Sequence, residues 1–251
     1  MKNIIETKKL CKTYSTGGVQ QHVLRNIDLE IREGDFTILM GPSGAGKSTL
    51  LYSLSGMDKP SLGQITFCGE DITKKNSDQL ALFRRKHCGF VFQQTYLVDS
   101  MSVMDNVLSA GFLNSNDRKT VIKKAGEILK SVDLDESLWD KFPTQISGGE
   151  AQRAGIARAL INKPDMVFAD EPTGALNSKT GKDVLDALTK FNKEGQSIVM
   201  VTHDIVSARR GNRILYLKDG EIAGELDLGR YVSGDKERHT ALRDFLGGMG
   251  W

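Results

Sequence analysis

Short, continuous apolar runs recur along the chain, and each is followed by polar residues. They lie at Phe36–Met40, Cys88–Phe92, 166–169 and 197–202. Runs of this length belong to parallel strands that are covered on both faces of a sheet. Since α/β folds place ligand contacts at the carboxyl ends of such strands, the pattern predicts an α/β fold with a mostly parallel sheet.

The N-terminal residues 3–31 follow a different pattern. Ile27, Leu29 and Ile31 alternate with charged residues, which is typical of a half-buried strand. A glycine pair at 17–18 separates this strand from an earlier apolar run. The segment therefore predicts an N-terminal antiparallel β layer.

From residue 95 to residue 146 the hydrophobic period becomes helical. One helical stripe comprises Val121, Ile122, Ala125, Ile128, Leu129 and Val132. The lysines of this segment lie largely off the stripe, which indicates a solvated face; a nucleic-acid surface is the less favoured alternative. Because the segment interrupts a series of strands, we predict a single domain, 1–251, in which 1–94 and 147–225 form the core and 95–146 is an inserted helical subdomain.

The C-terminal part of the chain predicts a hairpin and a final helix. An Asp-Gly turn at 219–220 joins two strands. From Asp235 onwards, one helical stripe carries Ala241, Leu242, Phe245 and Leu246. We predict a tail helix within 226–251, and the sequence leaves open whether it docks on the core or on a partner.

A glycine-rich loop at 41–48 (GPSGAGKS) connects the first apolar run to a helix-compatible segment that starts at Thr49. Strand, glycine loop and helix in this order are the context of a phosphate-binding P-loop. The glycines let backbone N–H groups turn towards phosphate oxygens, and the helix N-terminus adds the positive end of its dipole. Lys47 would reach the β- and γ-phosphates, and the Ser48 hydroxyl would ligate Mg²⁺. A glycine-rich connection that binds nothing is the alternative.

Other strand ends carry polar residues that suit phosphate chemistry. One apolar strand ends on Asp170 and Glu171. Asp170 can hold Mg²⁺ through water, and Glu171 can polarise the attacking water as a general base. His203 follows another strand in the same way, and Gln93 follows a third, where a ligand contact and plain loop solvation both stay open.

Two further stretches allow a structural and a functional interpretation. Tyr14 lies where the first strand gives way to a loop, so its ring is either a plain strand tyrosine or a stacking platform for a purine base. Ser147 and Glu150 have the spacing of a helix capping box. Yet Gly148 and Gly149, in the first helical turn between them, cost about 1 kcal/mol each relative to alanine. That cost suggests that bare backbone N–H groups serve an anion there.

Composition sets wider limits. The 251 residues are 39% hydrophobic and 26% charged with a net charge of +2, which suits a sizeable core and argues against a polyanion-binding surface. We find no apolar run of about 20 residues and no long apolar core of a signal peptide near the N-terminus. Cys11, Cys68 and Cys88 lack metal-ligand spacing and indicate small buried side chains in a reducing compartment. A cytoplasmic protein is expected.

With these motifs in this order, the chain resembles the ATP-binding subunit of an ABC transporter over roughly residues 4–225. The loop at 41–48 resembles Walker A, and residues 166–171 resemble Walker B with its catalytic glutamate. Gln93 resembles the Q-loop glutamine, His203 the switch histidine and Tyr14 the adenine-stacking aromatic residue. Residues 147–149 with Gln152 and Arg153 resemble the signature that no other P-loop class carries.

The resemblance implies a P-loop NTPase with a RecA-like sheet that uses ATP and Mg²⁺. Its catalytic residues would be Glu171, His203 and Lys47, and its metal ligands Ser48, Gln93 and Asp170. The residues expected to contact the nucleotide are Tyr14, Gly41, Pro42, Ser43, Gly44, Ala45, Gly46, Lys47, Ser48, Thr49, Gln93, Ser147, Gly148, Gly149 and Glu150.

The family also implies two kinds of partner. A second copy of the chain would complete two ATP sites in a head-to-tail dimer, and an integral membrane permease would use the resulting motion. The chain would then lie peripherally at the inner face of the membrane, touching it only through the permease, with no nucleic-acid partner. A permease-coupled regulator of cell division or lipoprotein release is an alternative. A soluble ATPase of translation or DNA repair is another, although such proteins carry a second ATPase unit or a coiled-coil insertion.

Within the family, residues 82–93 and 170–177 resemble a bacterial branch that serves macrolide and peptide exporters, lipoprotein release, cell division and antimicrobial-peptide resistance. The Gly-Trp ending suggests the peptide-resistance group. Two positions depart from the family pattern. Glu150 stands where glutamine is most frequent, and Asn177 stands where the D-loop usually ends in aspartate, which removes a negative charge.

Overall fold

The computed structural model describes residues 2–251. They form two compact units: the described residues up to Leu82 with Gly195–Trp251, and Phe83–Glu194. In chain order the strands and helices are β1 (Asn3–Thr16), β2 (Val19–Arg32), β3 (Phe36–Met40), α1 (Lys47–Leu54), β4 (Leu62–Phe67), β5 (Glu70–Asp71), α2 (Ser77–His87), β6 (Cys88–Phe92), α3 (Val103–Gly111), α4 (Arg118–Ser131), α5 (Gly148–Leu160), β7 (Met166–Asp170), α6 (Ser178–Lys193), β8 (Ser197–Val201), α7 (Ile205–Ala208), β9 (Arg213–Lys218), β10 (Glu221–Asp227) and α8 (Lys236–Gly248).

An antiparallel layer occupies one part of the first unit. β1 and β2 form a long hairpin around the glycine pair at 17–18, β4 pairs with the other edge of β1, and β5 pairs with β4. Ile27, Leu29 and Ile31 of β2 are buried, whereas the charged residues between them are exposed. The predicted N-terminal antiparallel layer is confirmed, because the period of two places one apolar face inward.

The parallel strands of the first unit centre on β3. This strand pairs in parallel with β8 on one side and with β9 on the other, and β9 forms an antiparallel hairpin with β10. All five residues of β3 and all five of β8 are buried, as expected for parallel strands covered on both faces. Asp219 and Gly220 have φ angles of 50° and 81°, which suits the tight hairpin turn that the Asp-Gly pair predicts.

The second unit combines two strands with four longer helices. β6 and β7 pair in parallel, and α5 packs on β6 and on α3, α4 and α6. Val121, Ala125 and Leu129 of the predicted α4 stripe are buried. Ile122 is 47% exposed, so the assignment of this residue to the buried stripe is wrong. Ile122 directly follows Val121, and one residue along a helix turns the side chain by about 100°, so Ile122 points to solvent while Val121 faces the interior.

The tail folds back on the first unit. Leu242 and Leu246 of α8 are buried, and α8 packs against α7. The sequence left open whether the tail docks on the core or on a partner, and the structure shows that it docks on the chain itself. Ala241 is exposed, against expectation, because the buried stripe of α8 is narrower than the sequence suggests. None of the helices within residues 2–251 has the length and apolar character needed to span a bilayer.

The three cysteines differ from their predicted environment. Cys11, Cys68 and Cys88 are all of intermediate exposure rather than buried. The Cys11 sulfur accepts a hydrogen bond from the backbone N–H of Asn26 at 3.2 Å.

Candidate active site

The glycine-rich loop lies between the end of β3 and the start of α1 in the first unit. A Cβ atom on Gly41 would lie 1.9 Å from the carbonyl oxygen of Leu217, so only glycine lets the loop leave β3 this close to β9. Gly46 occupies the N-cap position of α1 with a φ of 99°, a conformation that favours glycine. The loop therefore delivers its backbone N–H groups at the positive end of a helix.

Lys47 opens α1 and folds over the loop. Its Nζ donates to the carbonyl oxygens of Gly41 at 2.9 Å and Pro42 at 2.8 Å. Ser48 follows it in the first helical turn and is half-buried. A cation, a helix N-terminus and a glycine loop together form a site that suits the phosphates of a nucleotide.

Tyr14 lies near the end of β1, and its ring is held from two sides. The Tyr14 hydroxyl donates to an Asp58 carboxylate oxygen at 2.5 Å. Lys12 pairs with the same carboxylate and places its Nζ 4.8 Å from the centre of the ring. Burial and the Asp58 carboxylate raise the pKa of the Tyr14 hydroxyl, so the ring stays uncharged. Thr49 of α1 also bonds to this hydroxyl, which links Tyr14 to the P-loop helix.

His203 follows β8 at the same edge of the sheet as the P-loop. Leu39 pairs with Val201 in the parallel ladder, and the backbone N–H of Thr202 donates to the Leu39 carbonyl oxygen at 3.3 Å. His203 is exposed. Because the carboxyl ends of parallel neighbours meet at one edge, His203 and the P-loop share the edge that α/β folds use for ligands.

Asp204 caps the single-turn helix α7 directly after His203. Its carboxylate accepts the N–H groups of Val206 at 3.1 Å and Ser207 at 2.8 Å, and the Ser207 hydroxyl at 2.6 Å. Burial raises the pKa of Asp204, but these hydrogen bonds, led by the one from the Ser207 hydroxyl, outweigh it and lower the pKa overall. The carboxylate is therefore ionised and holds the start of α7.

In the second unit, Gln93 and Glu171 lie side by side. Phe92 and Asp170 are partners in the parallel pair β6–β7, and the two side chains follow one residue later. A Cβ atom on Gly174 would lie 2.9 Å from Gln93 Nε2 and 3.3 Å from Glu171 Oε2, so both groups converge on this glycine. Glu171 has a φ of 46°, a strained conformation for a non-glycine residue that concentrates at functional sites.

Ser147 and Glu150 form the predicted capping box at the start of α5. The Ser147 backbone N–H donates to Glu150 Oε2 at 2.7 Å, and the Glu150 N–H donates to Ser147 Oγ at 3.3 Å. Hydrogen bonds from the Ser147 backbone and hydroxyl lower the pKa of Glu150. Ser147 and Gly148 are exposed, whereas Gly149 is buried, and a Cβ atom on it would lie 3.0 Å from Thr180 Cβ.

A model of the ABC transporter family matches residues 24–174, which is more than half of the chain. The chain belongs to the ABC transporter family.

Relatives of this ABC protein extend the match over nearly the whole chain. The bacitracin export ATP-binding protein BceA of Halalkalibacterium halodurans is 41% identical over 97% of this chain and 94% of its own length. The macrolide export ATP-binding/permease protein MacB of Escherichia coli is 40% identical over 90% of this chain but 35% of its own length. A dimeric, post-hydrolysis structure of the ATP-binding cassette MJ0796 with ADP and Pi has a TM-score of 0.83 at 40% identity, covering 90% of this chain and 100% of that chain.

The predicted family and P-loop NTPase fold are thereby confirmed, and the chain is an ATP-hydrolysing subunit of an ABC transporter. Within this ABC protein, the P-loop, Tyr14 and His203 belong to the first unit, whereas Gln93, residues 147–150 and Glu171 belong to the second.

The two departures from the ABC pattern have local structural roles. Glu150 supplies the acidic half of the capping box, so it preserves the geometry of the signature turn. Asn177 is the N-cap of α6, where its side chain accepts the N–H groups of Lys179 at 3.1 Å and Thr180 at 3.0 Å. Asparagine and aspartate cap helices about equally well, so the substitution keeps the D-loop joined to its helix.

Two polar side chains of this ABC ATPase have positions that sequence reasoning missed. Gln152 of α5 is 2% exposed, and its Nε2 donates to the Phe92 carbonyl oxygen at 2.7 Å, which ties the signature helix to the strand before Gln93. Arg158 donates to the carbonyl oxygens of Thr95 and Tyr96, just after Gln93. A buried polar residue on a helix signals a partner, but nothing near these residues in sequence indicates which partner.

Proposed function

We propose that this ABC ATPase drives an integral membrane permease that protects the cell against a cell-wall-directed peptide antibiotic such as bacitracin. The observation that carries the proposal is the 41% identity to the bacitracin export ATP-binding protein, which extends over 97% of the chain. The similarity thus includes the C-terminal tail, which lies outside residues 24–174 of the family match.

Glu171 is the proposed general base. It would accept a proton from the attacking water as the water oxygen bonds to the γ-phosphorus and the bond to the β–γ bridging oxygen breaks, releasing ADP and phosphate. The proximity of Gln93 and the strained φ of Glu171 support this role. Lys47 would stabilise the charge on the β- and γ-phosphates, and His203 would contact the γ-phosphate from the edge that it shares with the P-loop.

The proposed metal ligands fit Mg²⁺ by their chemistry. Ser48, Gln93 and Asp170 offer a hydroxyl, an amide and a carboxylate oxygen, the hard donors that this ion prefers. Bound with ATP, the ion would neutralise phosphate charge. The proposed nucleotide contacts remain Tyr14, residues 41–49, Gln93 and residues 147–150.

A second copy of the chain is the proposed partner of the signature turn. Gly148 and Gly149 lie in the first turn of α5, where backbone N–H groups have no acceptor within the helix. Ser147 and Gly148 are exposed, so the turn is accessible to an anion brought by another molecule. The γ-phosphate of an ATP held by the P-loop of the second copy would supply that anion, and two such sites would make a head-to-tail dimer.

The permease is proposed to bind the helical region 95–146. Tyr96, Val98 and Met101 are exposed apolar side chains just after Gln93, and side chains of this kind often mark a contact surface. The chain would thus reach the membrane only through the permease, on its cytoplasmic side. We retain the single ATPase domain with this helical insertion, and we propose no nucleic-acid partner, because Lys119, Lys123, Lys124 and Lys130 lie on a solvated helix face.

The catalytic assignment is tested with Glu171→Gln. We expect the variant to bind ATP, to lose nearly all turnover and to accumulate as a dimer on a sizing column, because the γ-phosphate would persist at the interface. Glu127→Gln, an exposed glutamate on α4, is the matched control and should behave like the wild type. Wild-type turnover in Glu171→Gln would show that another group is the base.

The transport proposal is tested in the source organism. Deleting the gene should lower the minimal inhibitory concentration of bacitracin several-fold, and the wild-type chain, but not Glu171→Gln, should restore it. A tagged chain purified from detergent-solubilised membranes should retain a permease. Unchanged resistance would refute the proposed substrate class, and recovery with ribosomes or DNA alone would refute the transport role.

A further inference from the structure

Arg238 of the tail helix is buried among backbone carbonyl groups. The residue is only 3% exposed. Its guanidinium donates to the carbonyl oxygens of Arg209 at 2.6 Å, Leu228 at 2.7 Å, Gly229 at 3.0 Å and Arg230 at 3.5 Å, and also to that of Gly211. Five carbonyl groups from two separate segments therefore meet at one side chain.

The first of these segments is the turn that ends α7, the single-turn helix after His203. Asp204 caps the other end of α7, so the helix is held at its start by a carboxylate and at its end by Arg238. The helix α7 is only four residues long. A helix of one turn gains little stability from its own hydrogen bonds, so the position of α7 depends on these two anchors.

The same turn is packed tightly against β3, the strand that leads into the P-loop. A Cβ atom on Gly211 would lie 2.2 Å from Ile38 Cγ1, and Asn212 exchanges hydrogen bonds with the backbone of Phe36. The turn is therefore held both by β3 and by Arg238. Loss of the guanidinium would remove one of these two sets of contacts and leave the contacts with β3 in place.

Arginine suits this position better than any other cation. Its planar group presents five donors in a rigid fork, whereas a lysine ammonium offers three from a single point. Because Arg238 is only 3% exposed, its charge is largely desolvated, and this burial lowers the pKa of the guanidinium. A desolvated charge is costly unless polar groups surround it, and here the carbonyl groups do so only while the turn and the tail stay docked.

Aromatic contacts reinforce the same arrangement. The ring of Tyr231 lies 5.7 Å from the Arg238 guanidinium and 4.7 Å from that of Arg210, which belongs to the turn. Trp251 packs edge-on against Tyr216 of β9 with ring centres 6.2 Å apart. The tail thus contacts the core of its unit on both sides of Arg238.

We propose that Arg238 is a positioning residue for His203, acting through α7, so that docking of the C-terminal helix sets the geometry of the switch histidine. The inference rests on the proposed role of His203 in hydrolysis. It gives the tail a function in the reaction rather than in stability alone.

The test compares Arg238→Ala and Arg238→Lys with Arg243→Ala and Arg243→Lys in the full chain. Arg243 lies on the same helix with 66% of its side chain exposed, so it is a matched control. We expect kcat of Arg238→Ala to fall by about tenfold to a hundredfold, because a displacement of about 1 Å at a catalytic group can cost about a hundredfold in rate. The KM and the dissociation constant for ATP should stay close to the wild type, because the P-loop is unchanged.

Three further measurements distinguish positioning from general destabilisation. Arg238→Lys should recover part of the lost kcat, and it replaces the alanine variant if that variant does not fold. Hydrogen exchange should quicken at the amides of Ala208 and Arg209, whose α7 bonds span 2.9 Å and 3.2 Å, but not in the P-loop helix. The double variant His203→Ala, Arg238→Ala should be no slower than His203→Ala alone.

The outcomes separate the inference from the proposed function. Wild-type turnover in His203→Ala would refute the proposed role of the histidine, and with it the positioning role. If His203→Ala is slow but folded Arg238→Ala keeps the wild-type kcat, the inference alone is wrong. Multiplicative losses in the double variant, or equal losses in both Arg243 variants, would also overturn it.

Discussion

Asp58→Ala removes the group that orients the ring of Tyr14. The Asp58 carboxylate accepts the Tyr14 hydroxyl at 2.5 Å and pairs with the Lys12 ammonium. The Lys12 side chain is only 10% exposed and that of Asp58 32%. The substitution therefore leaves a nearly buried ammonium with the Lys59 carbonyl oxygen, 2.6 Å away, and the face of the tyrosine ring.

The size of the effect follows from this partial burial. Breaking a fully buried ion pair costs about 3–5 kcal/mol, and an exposed pair contributes less than about 1 kcal/mol. Since Asp58 is about one third exposed, we expect the free energy of unfolding to fall by about 2 kcal/mol. Stacking of a base on an aromatic ring contributes about 1–3 kcal/mol. A ring that rotates freely loses part of this, so affinity for ATP should fall about fivefold.

Urea unfolding and ATP calorimetry measure the two effects separately, the latter with Glu171→Gln as background so that ATP persists. Tyr14→Phe keeps the ring but not the hydroxyl, so it should lose affinity as Asp58→Ala does, and Tyr14→Ala should lose more. Asp183→Ala, at an exposed position on α6, is the control. If Tyr14→Ala weakens ATP binding while Asp58→Ala and Tyr14→Phe bind like the wild type, the orienting role of Asp58 is refuted.

Three other substitutions test the P-loop, the signature helix and its cap. Gly41→Ala places a Cβ atom 1.9 Å from the Leu217 carbonyl oxygen, so the loop must shift and ATP binding should be lost, as fluorescence titration can show. Gln152→Leu, of similar size, leaves the carbonyl group at the end of β6 without its donor and should lower the free energy of unfolding by about 1–3 kcal/mol, measured in urea. The pKa of Glu150 lies below its ordinary value of 4.5. The stability contributed by its carboxylate is therefore complete above pH 4.5 and decreases as the pH falls through the lowered pKa, and Glu150→Gln should remove this dependence in melting curves recorded from pH 6 downwards.

For each of these three substitutions, one result would contradict the expectation. An unchanged ATP affinity in Gly41→Ala would mean that the loop has room beside β9. Wild-type stability of Gln152→Leu would mean that water replaces the lost donor. A melting temperature of Glu150→Gln that follows the wild type at every pH would place the acid sensitivity in other carboxylates.

Local patterns in the sequence predicted the elements and the fold class. The glycine loop between β3 and α1, the capping box at Ser147 and the Asp-Gly hairpin turn each depend on residues within about eight positions of one another. Such signals survive in any tertiary context, because neighbouring residues meet whatever the rest of the chain does. The order of these motifs also identified the family, which the match over residues 24–174 confirms.

Contacts between distant residues could not be predicted in this way. The Tyr14 hydroxyl meets a carboxylate 44 positions away, and Gln152 meets a carbonyl group 60 positions away. The exposure of Ile122 could not be predicted from the sequence either. The period of α4 defines an apolar stripe, but the neighbouring helices decide how much of that stripe they cover.

By itself, the sequence determined that a glycine-rich loop joins β3 to α1, that polar groups follow its buried strands, and that the chain is an ABC ATPase. Those properties arise from residue type and short spacing. Only the tertiary structure decided that Asp58 holds Tyr14, that Gln93 and Glu171 converge on Gly174, and that the tail helix docks on its own unit through Arg238. A buried polar group must find its partner in three dimensions, and the sequence records the need for a partner but not its identity.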